Sequence, residues 1–273
     1  LEIGEPCFAT PANISDAGSD AILEGMTRYC NSQGLVALRE EISHEIRRTR
    51  GLCVPTERII VGSGAKPLIF FSILALLDDG DEAVYPAPLF PVFQSAVGFA
   101  GARAVPVPLR EELDFRFDMD EFRARITSRT RLIILNSPHN PTGGVLTSDD
   151  VREIAALALE HDLVVLSDEV YEHMVFDGQQ HWSAARFPAL AARSLIVSSF
   201  GKTYHVTGWK IGYVAAPAVL TAEFRKVHQY VTFASITPVQ LALADFLAEH
   251  PEHHLELPAF YQRKRDRFCT LLD

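Results

Sequence analysis

At residues 195–202 the chain reads Leu195-Ile196-Val197-Ser198-Ser199-Phe200-Gly201-Lys202. The apolar run at its start is typical of a buried strand, and Lys202 follows that strand with two hydroxyl groups before it. In open α/β sheets ligands gather at the carboxyl ends of the strands, so this position suits a reactive amine. A lysine after a strand is also commonly a solvated surface residue, and the rest of the sequence has to separate the two interpretations.

Six other apolar runs resemble the one at 195–197, and helical patterns lie between and after them. The runs are 58–61, 82–85, 102–107, 132–135, 163–166 and 211–215, and the helical patterns are 35–50, 66–77, 149–160, 238–249 and 255–272. Most runs are continuously apolar, as in strands covered on both faces. The pattern predicts an α/β fold with a mostly parallel seven-stranded sheet and helices on both faces. The link from Phe200 to Lys210 is too short for a helical crossover, so the last strand is predicted to be antiparallel.

The composition is that of a globular protein with a large core. The chain has 273 residues, of which 48% are hydrophobic and 22% are charged. Its net charge of −10 argues against general binding to nucleic acid or to an anionic membrane. No apolar run is long enough to span a bilayer.

Neither the cysteines nor the histidines have the spacing of metal ligands. The cysteines are scattered at Cys7, Cys30, Cys53 and Cys269. Reduced thiols in a cytoplasmic protein are therefore expected. The histidines near the end of the chain are expected at a solvated helix end, and they are His250, His253 and His254. The sequence predicts no metal site.

A second polar segment, Ser167-Asp168-Glu169-Val170-Tyr171, follows the run at 163–166. The Asp168 carboxylate could pair with a cationic ring nitrogen of a bound ligand, because opposite charges at close range favour the ion pair. Tyr171 could reach a hydroxyl on the same ring. The alternative is that Asp168 caps the next helix.

A third segment reads Asn136-Ser137-Pro138-His139-Asn140-Pro141-Thr142-Gly143. Its prolines fix a turn, and the side-chain amide of Asn140 could donate to a ring oxygen. An ordinary Asn-Pro turn is the alternative. Phe90 could stack on the same ring, although such an aromatic residue more often belongs to the core.

An anion site is predicted where Ser63-Gly64-Ala65-Lys66 follows the first strand and opens a helix. Backbone N–H groups at a helix start bind anions, and glycine allows close approach. Ser199 and Lys210 could add a hydroxyl and a cation, or could lie in the sheet and on the surface.

Two other phosphate-binding motifs are excluded by single residues. A Walker loop ending at Gly201-Lys202-Thr203 would need glycine at position 196, which is Ile. A dinucleotide fingerprint starting at Gly62 would need glycine at position 67, which is Pro.

The three segments at 136–143, 167–171 and 198–210 together resemble the cofactor site of the pyridoxal-phosphate (PLP) aminotransferases of fold type I. The chain resembles class I and II aminotransferases along nearly its whole length. The second half is similar to bacterial methionine aminotransferases and their kynurenine-aminotransferase relatives. The first half, with Gly64-Ala65-Lys66-Pro67, is more similar to aspartate-type aminotransferases.

The resemblance implies catalytic and cofactor-binding roles for the matching residues. Lys202 would carry PLP as a Schiff base and move the proton between substrate and cofactor. Asp168 would pair with the pyridine nitrogen, and Asn140 and Tyr171 would bond the ring oxygen, while Phe90 stacks on the ring. The phosphate would be held by four residues, Ala65, Lys66, Ser199 and Lys210.

The resemblance also implies substrate and subunit contacts. Gly4 would approach the substrate carboxylate with its backbone, and Asn140 would touch the substrate as well. Tyr29, which alone would be expected to be an ordinary half-buried tyrosine, would reach the phosphate in the other subunit. A homodimer with shared active sites is therefore expected.

The implied reaction passes an amino group from an L-amino acid to a 2-oxo acid by ping-pong kinetics. The second half favours a methionine, aromatic or kynurenine-like donor. Aspartate is an alternative, because in some aspartate-specific relatives the lysine at the position of Lys66 meets the distal carboxylate. A cysteine-S-conjugate β-lyase shares the fold and the site and stays open as another alternative.

The resemblance divides the chain into three parts. Residues 1–28 are expected to form an N-terminal segment with part of a small domain, 29–245 the large PLP-binding domain, and 246–273 the start of an incomplete C-terminal small domain. In relatives, an arginine further along the chain binds the substrate α-carboxylate through two hydrogen bonds, and no residue here matches it. A truncated, catalytically inactive PLP-binding fragment is therefore a further alternative.

Overall fold

The computed structural model describes residues 4–6 and 8–272. Its centre is an eight-stranded sheet. The strands in chain order are β1 (Ile59–Gly62), β2 (Glu82–Ala87), β3 (Arg103–Arg110), β4 (Arg116–Phe117), β5 (Thr130–Asn136), β6 (Val164–Asp168), β7 (Ser194–Ser199) and β8 (Gly212–Ala215). Their order across the sheet is β1-β8-β7-β6-β5-β2-β3-β4.

The sheet is mostly parallel, as predicted. Strands β3, β2, β5, β6 and β7 run parallel to one another, and β8 is antiparallel to both of its neighbours, β1 and β7. The predicted number of seven strands is wrong, because β4 adds an eighth that pairs antiparallel with β3. Only two residues long, β4 is too short to give a periodic sequence pattern.

Helices cover both faces of the sheet. The α-helices in chain order are α1 (Ala12–Leu23), α2 (Val36–Arg50), α3 (Ala65–Leu76), α4 (Val92–Phe99), α5 (Met119–Ala124), α6 (Ser148–Glu160), α7 (Pro188–Ala191), α8 (Phe200–Thr203), α9 (Ala218–Val231), α10 (Thr237–Glu249) and α11 (Leu257–Leu272). Helices α4, α5 and α9 were not predicted. None of the helices in the described ranges is long and apolar enough to cross a membrane.

Successive strand residues explain why the apolar runs are continuous. In β7, Leu195 and Val197 pack in a core with α3, α4 and α9, whereas Ile196 packs in a core with α5 and α6 on the opposite face. A third core joins α1, α2 and α10 to β1 and β8. Side chains of a strand alternate between faces, and both faces here are buried, so each position is apolar.

The parallel strands bring their polar carboxyl ends to one edge of the sheet. Asn136 of β5 lies opposite Asp168 of β6, and Asp168 lies opposite Val197 of β7, two residues before Ser199. The segments that the sequence singled out therefore meet in space. Of the cysteines, Cys30, Cys53 and Cys269 are free thiols, and Cys7 lies outside the described residues.

Candidate active site

A cavity of about 610 Å³ opens at the carboxyl ends of β5, β6 and β7. All the predicted site residues except Tyr29 line it. They are Gly4, Ala65, Lys66, Phe90, Asn140, Asp168, Tyr171, Ser199, Lys202 and Lys210. Residues from six separate segments of the chain thus face one space of the size that a small cofactor and a substrate need.

Lys202 lies on α8, the short helix that follows β7. The hydroxyl of Ser199 accepts a hydrogen bond from the Gly201 amide at 3.2 Å and donates one to the Ile211 carbonyl at 3.2 Å, which fixes the start of the helix. The Lys202 amine donates to the Gly4 carbonyl and lies 5.9 Å from the centre of the Tyr171 ring.

Burial lowers the pKa of the Lys202 amine; Glu5 opposes the shift and Lys210 adds to it. A lowered pKa increases the unprotonated fraction of an amine, which is the nucleophilic form. Lys202 is therefore suited to attack a carbonyl carbon from within the cavity.

Asp168, the last residue of β6, is buried at the floor of the cavity. Its carboxylate accepts a hydrogen bond from the Val170 amide at 3.2 Å, and among the described residues no cationic side chain forms an ion pair with it. Burial raises the pKa of Asp168 to about 7, and neighbouring Glu169 adds to the rise. A buried carboxylate in this situation is stabilised by a cation brought in from outside, and a protonated pyridine nitrogen fits that requirement.

Asn136 connects the Asn140 turn to Asp168, and this residue was not predicted as part of the site. Its side-chain oxygen accepts from the Asn140 amide at 2.8 Å, and its side-chain nitrogen donates to the Asp168 carbonyl at 3.3 Å. Asn136 directly follows the apolar run at 132–135, and this position could have identified it as a site residue. Tyr171 lies on the other side of Asp168, and burial, with a contribution from Asp168, raises the pKa of its hydroxyl.

An anion cradle forms at the amino end of α3. Gly64 precedes the helix with a φ of 83°, a left-handed conformation that favours glycine. Within residues 4–6 and 8–272, no side chain caps the first amides of the helix, those of Ala65 and Lys66. Lys210, itself left-handed with a φ of 54°, brings its amine to 3.6 Å from the point where a Cβ on Gly64 would lie. Free amides and a nearby ammonium group together suit a phosphate.

A second glycine keeps this cradle compact. A Cβ on Gly212 would lie 2.7 Å from the Ser198 carbonyl oxygen and 3.3 Å from the Ala65 amide nitrogen. Only glycine therefore lets β8 pass this close to the start of α3.

Comparison with known proteins agrees with this geometry. Residues 1–273 match the family Aminotransferase class I and II. The chain is 42% identical over 274 residues to a methionine aminotransferase of Escherichia coli, covering all of this chain and 71% of the relative. It is 38% identical over 268 residues to an aspartate aminotransferase of Pyrococcus abyssi, covering 97% of this chain and 69% of the relative.

The chain belongs to the class I and II aminotransferases.

A solved structure confirms the fold of this aminotransferase. The crystal structure of a methionine aminotransferase from Escherichia coli superposes with a TM-score of 0.95 at 42% identity, covering 97% of this chain and 70% of that one. The predicted fold class and family are therefore confirmed.

The lining of the aminotransferase cavity also includes a cation and an aromatic ring, Lys66 and Phe90. The Lys66 amine lies 5.0 Å from the centre of the Phe90 ring, within the range of a cation–π interaction. Phe90 is half-buried and packs against the core cluster beside α3 and α4. Both residues are thus in place to touch a ligand, Lys66 through its charge and Phe90 through its ring face.

Two further residues that were not predicted line the cavity. Glu5 accepts a hydrogen bond from the Thr207 hydroxyl at 2.8 Å, which ties the start of the chain to the turn after Lys202. The family resemblance implied a role for Gly4 and none for its neighbour Glu5. The Glu5 carboxylate also acts on the Lys202 amine through its charge.

Tyr29 is the predicted site residue that the fold does not bring to the cavity of its own chain. It is 86% exposed, and its ring meets Phe233 edge-on with 5.2 Å between the ring centres. The prediction gave Tyr29 a role in the partner subunit, and its exposure leaves the ring available for such a contact.

Proposed function

We propose that this aminotransferase uses pyridoxal 5′-phosphate to pass the amino group of an L-amino acid with an apolar or aromatic side chain, methionine among them, to a 2-oxo acid. The observation that carries the proposal is the buried Asp168 carboxyl facing the same cavity as the Lys202 amine. An acid that needs a cationic partner and an amine with a lowered pKa are the two groups that PLP chemistry requires.

Each part of the cavity has a task in this proposal. The phosphate would be held by Lys210, Ser199 and the first amides of α3. Asp168 would keep the ring nitrogen protonated, and Asn140 and Tyr171 would bind the ring oxygen. Phe90 would stack on the face of the ring. When bound, PLP supplies an electron sink for the carbanion formed at the substrate Cα. Lys202 would take the proton from that carbon and pass it to C4′ of the cofactor, and its lowered pKa suits both the uptake and the release of a proton.

The apolar lining supports the choice of donor. Ile69, Val170 and Ile211 line the cavity together with Phe90. The transfer of an apolar substrate side chain from water into this cavity is therefore favourable. The 42% identity to a methionine aminotransferase supports an apolar donor.

Aspartate is the second candidate donor, and Lys66 favours it. The Lys66 amine lines the cavity above Phe90 and offers a cation to a distal carboxylate. The aspartate aminotransferase relative supports this alternative. A Lys66→Ala variant separates the two donors: selective loss of activity with aspartate supports aspartate, and an unchanged order of preference supports the apolar donor.

The first test is the absorption spectrum of the protein with added PLP, before and after a panel of amino acids, with Lys202→Ala as the matched control. We expect a band that requires Lys202 and that bleaches with methionine and aromatic amino acids. Bleaching by aspartate alone selects the second donor, and release of pyruvate from a cysteine conjugate selects a β-lyase. A band that no amino acid bleaches indicates a binding-competent but inactive fragment, and a folded protein without the band contradicts the proposal.

We propose that the working unit is a homodimer in which Tyr29 reaches the phosphate of the other subunit. Tyr29 and Phe233 are exposed and in ring contact, and the apolar side chains of Met26, Tyr230 and Ile236 are exposed as well. Exposed apolar side chains that lie together on a globular protein mark an interaction surface. Sedimentation of the PLP-saturated protein tests the dimer, and a Tyr29→Phe variant that dimerises but releases PLP faster tests the shared site.

The division of the chain at 28 and 245 and the cytoplasmic location stay predictions. Limited proteolysis of the folded protein tests the division. If it is correct, the first cuts fall near residues 28 and 245.

A further inference from the structure

Glu45, His173 and His254 come together outside the cavity. They belong to α2, to the segment after β6 and to the short turn His253–Glu256 before α11. Each offers one possible ligand atom, and the three atoms lie within 4.8 Å of one another. The spacing in the sequence gave no sign of this cluster, because three distant segments supply one residue each.

The cluster is enclosed. The side chains of Glu45 and His173 are only 9% and 10% exposed, and 3.6 Å separates a Glu45 carboxylate oxygen from Nε2 of His173. The rings of His173 and His254 pack with 4.4 Å between their centres. The sequence placed His254 at a solvated helix end, which is wrong, since the residue is half-buried.

One imidazole nitrogen in the cluster lacks a partner. Nδ1 of His254 is buried and has no hydrogen-bond partner among the described residues. A buried polar atom without a partner carries a free-energy cost, and such atoms commonly mark the place of a ligand.

The spacing suits a small divalent ion. Zinc binds imidazole nitrogen and carboxylate oxygen at about 2.0–2.2 Å, so tetrahedral ligand atoms lie about 3.3–3.5 Å apart. The Glu45–His173 pair is already at 3.6 Å. Because the longest separation in the group is 4.8 Å at most, small side-chain rotations would close it.

The charge around the cluster favours a divalent cation. Arg50 lies beside Glu45 and contacts Glu172 at 2.6 Å and Glu169 at 3.4 Å. Three buried carboxylates thus face one buried guanidinium, and two negative charges remain when the imidazoles are neutral. Arg48 and Arg186 lie further out, at the rim of the adjoining cavity, where solvent screens them more strongly.

A supporting hydrogen bond and an open side complete the arrangement. The Tyr204 hydroxyl donates to the Glu45 carboxylate at 3.2 Å, the kind of contact that orients a metal-ligating carboxylate. A cavity of about 430 Å³, lined in part by His173 and His254, lies beside the cluster and has room for a water molecule as a fourth ligand.

We propose that Glu45, His173 and His254 bind a divalent transition-metal ion, of which zinc fits best. Two imidazoles, one carboxylate and an open position form a donor set that zinc commonly takes. The ion would cross-link α2 and the segment after β6 to the turn before α11. It would therefore stabilise the attachment of the last helix to the sheet, separately from the chemistry in the cavity.

The test is a titration of the PLP-saturated protein with Zn²⁺ and with Co²⁺, after alkylation of the exposed thiols. We expect one equivalent of metal to bind, the thermal midpoint Tm to rise with metal concentration, and Co²⁺ to show the intense visible absorption of a four-coordinate site. Metal that binds only the folded state raises Tm in this way. The absence of stoichiometric binding overturns the proposal.

Substitutions locate the site. His254→Gln and His173→Gln are expected to weaken binding by at least about 100-fold, since even indirect partners of a metal contribute 10–100-fold. His44→Gln, on the exposed side of α2, is the matched control and keeps full binding. His181→Gln tests the neighbouring group of Glu169, Glu172 and His181. Loss of binding in His181→Gln alone, or wild-type binding in His254→Gln, contradicts the assignment.

Discussion

Asp168 and Glu169 are adjacent buried carboxylates, yet they belong to two regions with opposite electrostatic character. Asp168 faces the cavity and accepts one hydrogen bond from the Val170 amide. Burial raises the pKa of Asp168 to about 7. Glu169 faces the other way, into a buried network with Arg50, His181 and Ser183.

In the network, local partners outweigh burial. Burial by itself would raise the pKa of Glu169, but hydrogen bonds from His181 and Ser183 and the charge of Arg50 bring it to about 2. The network supplies Glu169 with partners from within the fold. The cavity leaves a charge unsatisfied, which is typical of a site that takes its partner from solution.

The largest effect is expected from Asp168→Asn. A neutral amide cannot hold a pyridine nitrogen protonated, so we expect the amino-transfer rate to fall by about 10³-fold, or about 4 kcal/mol in activation free energy. Steady-state kinetics at saturating PLP measure the loss. Glu169→Gln serves as the comparison, and an equal loss of rate in both variants would erase the distinction between the two regions.

The next largest effect is expected from Arg50→Met. It leaves Glu169 and Glu172 buried without their guanidinium partner, and breaking a buried ion pair costs about 3–5 kcal/mol. Urea unfolding measures the loss of stability. A triple variant that adds Glu169→Gln and Glu172→Gln removes the stranded charges, and we expect it to recover part of the loss; no recovery contradicts the electrostatic explanation.

A smaller effect is expected from pH in the cofactor-free protein. The folded pKa of Asp168 lies near 7, above its ordinary value of 3.8, so the folded state binds more protons between these limits. This residue therefore makes stability fall as pH rises, by about 1.4 kcal/mol per pH unit between pH 5 and 7. The Asp168→Asn variant is expected to lack this pH dependence of stability. Parallel curves of unfolding free energy against pH for the two proteins would contradict the contribution of Asp168.

The smallest effect is expected from Ser183→Ala. The Ser183 hydroxyl donates to Glu169 at 3.0 Å, and the Ala184 amide and the Ser167 hydroxyl remain as donors to the same oxygen. We expect a loss of about 1.5 kcal/mol in the free energy of unfolding, the usual contribution of a hydrogen bond to a charged group. Ser19→Ala, at an exposed hydroxyl on α1, is the control and should change stability by less than about 0.5 kcal/mol.

The same two regions explain what the sequence could predict. The cavity residues Asn140, Asp168 and Lys202 come two to five residues after apolar runs, and parallel strands bring such positions to one edge. The pattern could therefore place them together, whereas their roles came from the family resemblance. Glu45 lies within an ordinary helical pattern, and Arg50 is its last residue. Their partners are more than a hundred residues away, and only the tertiary fold joins them.

Two elements of the fold were missed for local reasons. Strand β4 has two residues and no period to detect. Helix α9 buries only Thr221, Phe224 and His228, so its apolar stripe is narrow, and two of these three residues are polar.

The link between β7 and β8 carries two of the three lysines that line the cavity, Lys202 and Lys210. It is closed at its base, where the Phe200 amide and the Ser199 hydroxyl both donate to the Ile211 carbonyl. Lys202 and Lys210 therefore lie on one loop that hydrogen bonds close. This loop sets the distance between an amine at the reacting end of a bound cofactor and an amine at its phosphate end.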